Sequence, residues 1–489
     1  MYIRNEKHTQ GMLPWSDKLL KIILPHLKLV FSILFLTFFL SSFAKTTTLF
    51  EGKVSNYSLK PIYLYICEKD SIILHDSIIT DKTGNFIFNR KSGGSFGSMY
   101  KLTLERNQFF YLIDDGNLTK ITTTFLADAF YNIATDSLKV IQSEENRQFY
   151  KFQQLQQLLN TADYWLIQMM RLYPLPDPFH PKIEEEYFKR NNDFKDFIQT
   201  ELELRPDNYS TKIASAFYRP ELPDWKEPDT DRNLIFRKHY FDYFNPADSF
   251  YLKTNILPEK IEGWLSLFYD KTLMQSVQES IFMQALDTFL IHTKSNSETH
   301  KFVLNHILQK VNQEHLDQAF LYLYDKHLTV EENSCEPESD QFKWARDKAS
   351  ILKNVQTGKT APDFTIQETT LHNISSKYIL LVFWATWCPH CTQALPEIIE
   401  KTSKFSTTTL TKVAVSLDNE KSKWEAFIKA NNMSSWRNIS ELKGWNGEIS
   451  RNYNVYATPT LFLLDKDKKI IAKPEIHELG SLLKSFDYK

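Results

Sequence analysis

Two cysteines, Cys388 and Cys391, enclose Pro389 and His390 directly after an apolar run, in the segment FWATWCPHCTQALPEI. Two thiols at this spacing can exchange a disulfide, bind a metal ion or fill a core. A strand followed by a helix is expected here, so Cys388 would lie at the helix N-terminus. Unpaired backbone N–H groups and the positive end of the helix dipole stabilise a thiolate there and lower its pKa. Pro389 suits the first helical turn, because its missing N–H would be unpaired there in any case.

Cys391 follows Cys388 by one helical turn, so the second sulfur can reach the first with little backbone movement. This arrangement predicts that Cys388 is the exposed attacking thiol and that Cys391 is the more buried thiol that resolves a mixed disulfide. The imidazole of His390 is expected to lower the pKa of Cys388 further. The alternative for His390 is a solvent-exposed residue without a role in the chemistry.

A metal site is the main competing interpretation of the two cysteines. Structural zinc usually takes four nitrogen or sulfur ligands, commonly as two such pairs. The chain has four cysteines, and the other two, Cys67 and Cys335, are isolated in distant segments. His372 and His477 do not form a second pair either. We therefore expect no metal and no cofactor, and the sequence leaves open whether Cys67 and Cys335 pair with each other.

The composition limits the class of protein. The chain has 489 residues, of which 42% are hydrophobic and 14% aromatic, and this predicts two or three globular domains rather than a disordered chain. The formal net charge is −2, and no Arg/Lys-rich block carries interleaved aromatic residues. A nucleic-acid partner is therefore not expected.

The N-terminal segment, residues 1–44, predicts export. Five basic residues precede the uncharged run LVFSILFLTFFLSSFA, and Ser42 and Ala44 lie where a signal peptidase requires small residues. The alternative is an uncleaved membrane anchor, but the run has 16 residues, fewer than the roughly 20 that span a bilayer. Both interpretations place the rest of the chain in the periplasm or cell envelope, with this signal or anchor as its only expected contact with a membrane.

Three segments follow the signal. Residues 45–133 hold six of the twelve glycines and several short runs rich in Ile, Tyr and Phe, with a turn signal at Asp81–Gly84, so a β-sandwich-like domain is expected. Residues 134–356 contain a single glycine and repeat apolar residues at helical spacing, which predicts a helical domain. Residues 357–489 alternate apolar strands with helical stretches, which predicts an α/β domain.

The last segment resembles a known family. LLVFWATWCPHC is similar to the active-site strand and turn of the thioredoxin fold, and Pro396 matches the proline of its active-site helix. YATPTLFLLD resembles the strand that follows the cis-proline, with Thr458–Pro459 as the expected cis bond, and GKTAPDFTI resembles the opening strand of the TlpA/ResA-like branch. The resemblance covers residues 357–489. The order of all segments also resembles exported Bacteroidetes-type proteins in which β and helical regions precede such a domain.

The resemblance implies a thioredoxin-fold thiol:disulfide oxidoreductase that acts on protein thiols and disulfides of the cell envelope and needs an upstream redox partner. It implies that Pro459 faces the disulfide and that Thr458 offers its backbone to an extended partner chain. It gives a catalytic role to Cys388, Cys391 and Pro459, and the expected effect of its imidazole on the thiolate adds His390 to the catalytic residues. Trp387, Pro389 and Thr458 are expected to bind the partner.

The sequence also departs from this family pattern. Val382 and Ala394 occupy the positions at which thioredoxin and TlpA/ResA-type proteins have a carboxylate that accepts the proton of the second cysteine. Glu397 is nearby in the sequence, but its geometry is not given by the spacing. A peroxiredoxin would need Pro and Thr seven and three residues before the first cysteine, where this chain has Leu381 and Ala385. Peroxidase activity is therefore not expected.

A second hypothesis belongs to another functional class. Residues 45–356 form most of the chain and contain no catalytic constellation. The protein would then be an envelope binding or scaffold protein built on the β and helical segments, with an accessory redox domain.

Overall fold

A computed structural model describes residues 47–91, 96–221, 229–270, 272–328 and 340–484. The predicted export signal and Cys335 lie outside these ranges. No helix within them is both long and apolar enough to cross a membrane. The described residues divide into two compact units. The first contains the described residues up to 221 with His239–Phe244 and Phe250–Leu257, and the second contains Asp229–Lys238, Asn245–Ser249 and the described residues from Pro258 onward.

The first unit begins with strands, which form two four-stranded sheets of order β4-β1-β7-β8 and β3-β2-β5-β6. Buried and exposed residues alternate along β4, so that Phe86 and Phe88 are buried while their neighbours, including Ile87, face solvent. The rings of Phe50 and Tyr100, one from each sheet, pack edge to face with their centroids 5.3 Å apart. The strands are β1 (Thr48–Ser55), β2 (Pro61–Glu68), β3 (Ser71–Ile79), β4 (Asn85–Asn89), β5 (Met99–Thr103), β6 (Phe109–Ile113), β7 (Thr119–Thr124) and β8 (Lys139–Gln142).

The turn signal at Asp81–Gly84 lies between β3 and β4, but these two strands belong to different sheets. The Asp81 carboxylate accepts hydrogen bonds from the backbone N–H of Thr83 and Asn85, at 2.7 and 2.9 Å. Gly84 has a φ of 85°, a conformation that glycine adopts without steric cost. The turn therefore carries the chain from one sheet to the other instead of closing a hairpin.

Helices fill the middle of the chain. Local sequence explains where several of them begin. The side chain of Asn296, for example, accepts hydrogen bonds from the backbone N–H of Glu298 and Thr299 at the start of the helix Ser297–Gln313. Their ranges are α1 (Ile133–Asp136), α2 (Glu144–Leu172), α3 (His180–Leu204), α4 (Tyr209–Ala216), α5 (Asp229–His239), α6 (Ile256–Ser266), α7 (Gln275–Thr293), α8 (Ser297–Gln313), α9 (Asp317–Leu323) and α10 (Asp340–Asn354). A 3₁₀ helix, Ser249–Lys253, and a π turn, Tyr324–Leu328, lie between them.

The elements of the C-terminal region are β9 (Thr365–Ile366), β10 (Thr369–Thr370), β11 (Tyr378–Trp384), α11 (Pro389–Thr402), β12 (Leu410–Ser416), α12 (Lys421–Ala430), β13 (Arg437–Ser440), α13 (Glu448–Asn452), β14 (Thr460–Asp465), β15 (Ile470–Ala472) and α14 (Ile476–Lys484), with 3₁₀ helices at Leu371–Asn373 and Gly444–Asn446. Five of these strands form a mixed sheet of order β13-β12-β11-β14-β15, which agrees with the predicted thioredoxin-like fold.

The central strand β11 explains how the site is positioned. Its sequence, YILLVFW, is apolar throughout and six of its seven residues are buried, as expected for a strand covered on both faces. It runs parallel to β12 and antiparallel to β14, with Phe383 opposite Thr460. The end of β11 therefore lies beside the start of β14, which brings the Cys-Pro-His-Cys motif close to Pro459.

The apolar core of the thioredoxin-like fold includes a residue that precedes its first strand, β9, in the chain. Val355, one residue after the end of α10, is 1% exposed and packs in the same cluster as the residues of β11. Backbone pairing to the sheet starts soon afterwards, where the N–H of Gly358 donates to the carbonyl of Ile470 at 2.7 Å.

Leu381 gives a test of this core, because it is fully buried in the middle of β11. We expect Leu381→Ala to lower the free energy of unfolding by about 2–5 kcal/mol, through lost burial and the cavity left behind. Denaturant unfolding of the protein, followed by tryptophan fluorescence, measures the change. Leu442→Ala, at a position 36% exposed in the same region, is the control and should change stability by less than about 0.5 kcal/mol. Equal effects of the two substitutions would contradict this packing.

Candidate active site

The sulfur of Cys388 lies at the N-terminus of α11. Cys388 is the N-cap residue, with φ −89° and ψ 110°, and Pro389 occupies the first turn. The backbone N–H of Cys391 donates to the Cys388 sulfur at 3.2 Å, and the N–H of His390 also points to it. The Cys388 sulfur therefore takes the place of the side-chain oxygen that usually caps a helix.

The loop before β14 closes the other side of the sulfurs. The Thr458–Pro459 bond is cis, as the sequence predicts. The Cys388 thiol donates to the carbonyl of Thr458 at 3.3 Å, and the Thr458 side chain hydrogen-bonds to the sulfurs of both Cys388 and Cys391. We call residues 454–459 the cis-proline loop.

The two thiols have opposite electrostatic environments. Burial raises the pKa of Cys388, but hydrogen bonds from the Cys391 thiol, the Thr458 side chain and the backbone outweigh it, and the net pKa is lowered. Burial raises the pKa of Cys391, and the hydrogen bond and charge of Cys388 raise it further. Cys388 is 6% exposed and Cys391 is fully buried. Both cysteines are therefore buried, and Cys388, which the sequence predicts to be exposed, is only the less buried of the two, because the carbonyl of Thr458 lies against its sulfur.

The surroundings of Cys391 are apolar where the family pattern has carboxylates. Val382 is fully buried in β11 and Ala394 is 7% exposed on α11. The carboxylate of Glu397 is exposed and forms an ion pair with Lys401 at 2.6 Å. These neighbours contribute nothing that lowers the pKa of the Cys391 thiol.

The remaining predicted site residues lie at the mouth of the site. Pro389 and His390 are exposed, and the contact of His390 with the Cys388 sulfur is made by its backbone N–H. Trp387 is 49% exposed and its ring is 5.9 Å from that of Trp445, which is 43% exposed. Trp384, in contrast, is fully buried and packs against Phe427, as a core residue does. The structure thus brings the two cysteines and Thr458 into contact, and it leaves Trp387, Pro389 and His390 exposed beside them.

Asp418 is a residue of the site that the sequence analysis did not identify. It is 2% exposed and follows β12. Its carboxylate accepts hydrogen bonds from the backbone N–H of Thr386 at 3.2 Å, from the Thr386 hydroxyl at 2.5 Å and from the Ser416 hydroxyl at 2.6 Å. Asp418 therefore fixes the turn between β11 and Cys388. Its position two residues after an apolar strand, next to the end of β11, was the available signal.

Within the described ranges, no group of three or more His, Cys, Asp or Glu side chains is arranged to hold a metal ion. Cys67, which the sequence leaves unassigned, is a free thiol, 1% exposed in the first unit, and burial raises its pKa to about 11.

Comparison with known proteins places this region in a family. Residues 357–473 match the model of the AhpC/TSA family. The chain is 34% identical over 137 residues to the thioredoxin-like protein YneN of Bacillus subtilis, an alignment that covers 27% of this chain and 75% of the relative. It is 29% identical over 124 residues to the thiol-disulfide oxidoreductase ResA of Bacillus thuringiensis, covering 24% of this chain and 69% of ResA.

A solved structure of a thioredoxin-like protein from Bacteroides caccae is 17% identical, with a TM-score of 0.36, and the match covers 54% of this chain and 97% of the other. At this TM-score the structural similarity adds no argument to the sequence similarity. The residues that match the family model, 357–473, include the five-stranded sheet and the Cys-Pro-His-Cys turn. Through this C-terminal region, the chain belongs to the thioredoxin-like thiol-disulfide oxidoreductases of the AhpC/TSA family.

Proposed function

We propose that the protein is an exported thiol-disulfide oxidoreductase that exchanges disulfides with proteins of the cell envelope, with Cys388 as nucleophile and Cys391 as resolving thiol. One observation carries this proposal: the Cys388 sulfur caps α11 and accepts the Cys391 N–H, while Cys391 is buried directly behind it. A thiolate held by helix N–H groups is both the attacking and the leaving group that such exchange requires.

The proposed reaction has two steps. The Cys388 thiolate attacks one sulfur of a partner disulfide, forming a mixed disulfide and releasing the other partner sulfur as a thiolate. The Cys391 thiol then loses its proton and attacks the Cys388 sulfur, which forms the Cys388–Cys391 disulfide and releases the second partner thiolate. The partner gains two electrons and the motif loses two. An upstream redox partner restores the dithiol, and the same steps in reverse oxidise a partner dithiol.

The second step depends on the proton of Cys391. Because burial raises the pKa of Cys391, its thiolate is scarce at neutral pH. The apolar side chains of Val382 and Ala394 offer no group to accept the proton. Release of the partner is therefore expected to be slower than attack, and the mixed disulfide to persist long enough for a partner to be captured.

We propose that partners bind across the opening formed by Trp387, Pro389, Thr458 and Pro459. Trp387 and Pro389 are exposed beside Cys388, and Thr458 and Pro459 are half-buried on the opposite side. An extended chain that contains a disulfide would cross this opening with its cysteine above Cys388. The uncharged N-terminal run with small residues at Ser42 and Ala44 supports the location outside the cytoplasm.

Single cysteine substitutions test the assigned roles. We expect Cys388→Ser to abolish reduction of insulin disulfides by the dithiothreitol-reduced protein, because the attacking thiolate is lost. Cys391→Ser should retain the first step and accumulate a covalent mixed disulfide with insulin, visible on a non-reducing gel. Cys67→Ser, a substitution at a buried thiol of the first unit, is the matched control and should retain activity. A mixed disulfide that forms in Cys388→Ser but not in Cys391→Ser would reverse the assignment.

The lowered pKa of Cys388 gives a pH dependence. Only the thiolate reacts with iodoacetamide, so alkylation of the reduced protein should reach half its maximal rate at a lower pH than alkylation of an unperturbed cysteine. Cys391 should remain unmodified in the same range, because its pKa is raised. Mass spectrometry of tryptic peptides identifies the modified cysteine.

The Thr458 side chain accounts for part of this shift. Thr458→Val removes a hydrogen bond that lowers the pKa of Cys388, so the alkylation profile should move to higher pH. Thr392→Val is the control, because the Thr392 hydroxyl bonds to the carbonyl of Pro389 and not to a sulfur. A profile that moves equally in both variants would remove Thr458 from the mechanism.

A further inference from the structure

The cis-proline loop is held from outside the thioredoxin-like sheet. The ring of Tyr456 stacks on that of His315, with the centroids 3.7 Å apart and the planes within 4° of parallel. His315 lies between α8 and α9 in the helical part of the second unit. One face of Tyr456 is therefore covered, while 47% of the residue remains exposed.

A second contact holds the start of the loop. The side-chain amide of Asn454 donates to the carboxylate of Asp317 at 3.0 Å, and its oxygen accepts from the ammonium of Lys348 at 2.6 Å. Asp317 is the first residue of α9 and Lys348 lies within α10. A single amide of the loop thus joins two helices that precede the thioredoxin-like region in the chain.

These contacts are charged and partly removed from water. Burial raises the pKa of Asp317, and the charges of Lys348, Lys473 and His315 oppose this. Burial lowers the pKa of Lys348 and of Lys473, and the charge of Asp317 opposes it in both cases. Removing one member therefore leaves a half-buried charge without its neighbour, which is costlier than losing a surface ion pair.

The loop is also anchored on its other side. Tyr453, immediately before Asn454, is 1% exposed, packs against Phe383 and Phe462 and donates its hydroxyl to the carbonyl of Pro362 at 2.6 Å. Between this anchor and Thr458 only four residues intervene. Two of them contact the helical region: Asn454 contacts α9 and α10, and Tyr456 contacts His315 between α8 and α9. Little freedom remains for the position of Thr458 when both contacts are made.

We propose that Asp317, Lys348 and His315 are positioning residues for the active site: they hold the cis-proline loop from the helical region and thereby fix Thr458 against both sulfurs. The inference rests on the proposed function of the Cys388–Cys391 pair. It assigns to the helical region a part in thiol chemistry, although no described residue of that region forms a hydrogen bond with the Cys388 or Cys391 sulfur. Loosening the loop should weaken the hydrogen bonds of Thr458 to both thiols, which raises the pKa of Cys388 and lowers its reactivity at neutral pH.

The test uses a matched pair of glycine substitutions in the full mature chain. Asn454 and Asn432 both have positive φ values, 51° and 58°, so glycine fits either position without backbone strain. Asn454→Gly removes the bridge to Asp317 and Lys348, while Asn432→Gly makes the same change at the exposed end of α12. The pH profile of Cys388 alkylation by iodoacetamide is measured for both, together with the redox equilibrium of the motif against glutathione.

We expect Asn454→Gly to slow alkylation at pH 7 by about threefold or more relative to Asn432→Gly, which corresponds to a rise of about half a unit in the pKa of Cys388. Asp317→Ala should have the same effect, and Asp317→Asn, which keeps an oxygen to accept from Asn454, should restore part of the rate. A purely structural role would lower the midpoint of thermal unfolding without moving the alkylation profile.

The inference is overturned if Asn454→Gly and Asp317→Ala both keep the alkylation profile and redox equilibrium of the wild type. If Asn454→Gly does not fold, the pair Asp317→Ala and Asp317→Asn decides in the same way. Failure of the wild type to reduce insulin would refute the proposed function, and the alkylation profiles would still report whether the helices position Thr458.

Discussion

A cysteine sulfur at the end of a helix is the constraint on which the C-terminal fold depends. Backbone N–H groups converge on the Cys388 sulfur only if α11 starts at Pro389 and points its N-terminus at the end of β11. β11 lies at the centre of the sheet, and its uninterrupted apolar sequence suits a strand that is covered on both faces. The antiparallel pairing of β11 with β14 then brings the cis-proline loop to the opposite side of the same sulfur.

The two sulfurs differ because they occupy two kinds of surroundings a single helical turn apart. The Cys388 sulfur is reached by backbone N–H donors and its residue is 6% exposed, whereas Cys391 is fully buried on the inner face of α11. The Thr458 side chain bonds to both and is the polar group that they share. The lowered pKa makes Cys388 the better leaving group of the two, and the raised pKa keeps Cys391 protonated at neutral pH.

The sequence predicted those parts whose signals are local. The apolar run of β11, the Cys-Pro-His-Cys turn and the Thr-Pro dipeptide are each recognisable within a few residues, and their order along the chain indicated the thioredoxin-like fold.

β13 was not predicted, because four partly exposed residues at a sheet edge, RNIS, have no hydrophobic pattern. The role of Asp418 also escaped prediction, since it depends on β12 lying next to β11, a contact between residues 32 positions apart in the chain. The Asp81–Gly84 turn was located correctly, but a turn signal does not specify which strands pair. Likewise, periodicity predicted helices before residue 357 without indicating that α9 and α10 contact the cis-proline loop.

The place of Val355 has a mechanical consequence. The last turn of α10 is followed at once by a residue of the thioredoxin-like core, and backbone pairing with Ile470 begins at Gly358. The connection of three residues between them spans at most about 10 Å even when extended, and part of that length is already packed. There is thus no slack between α10 and the sheet, so a displacement of this helix is transmitted to the sheet rather than absorbed by a linker. We therefore expect α10 and the five-stranded sheet to move together as one rigid body.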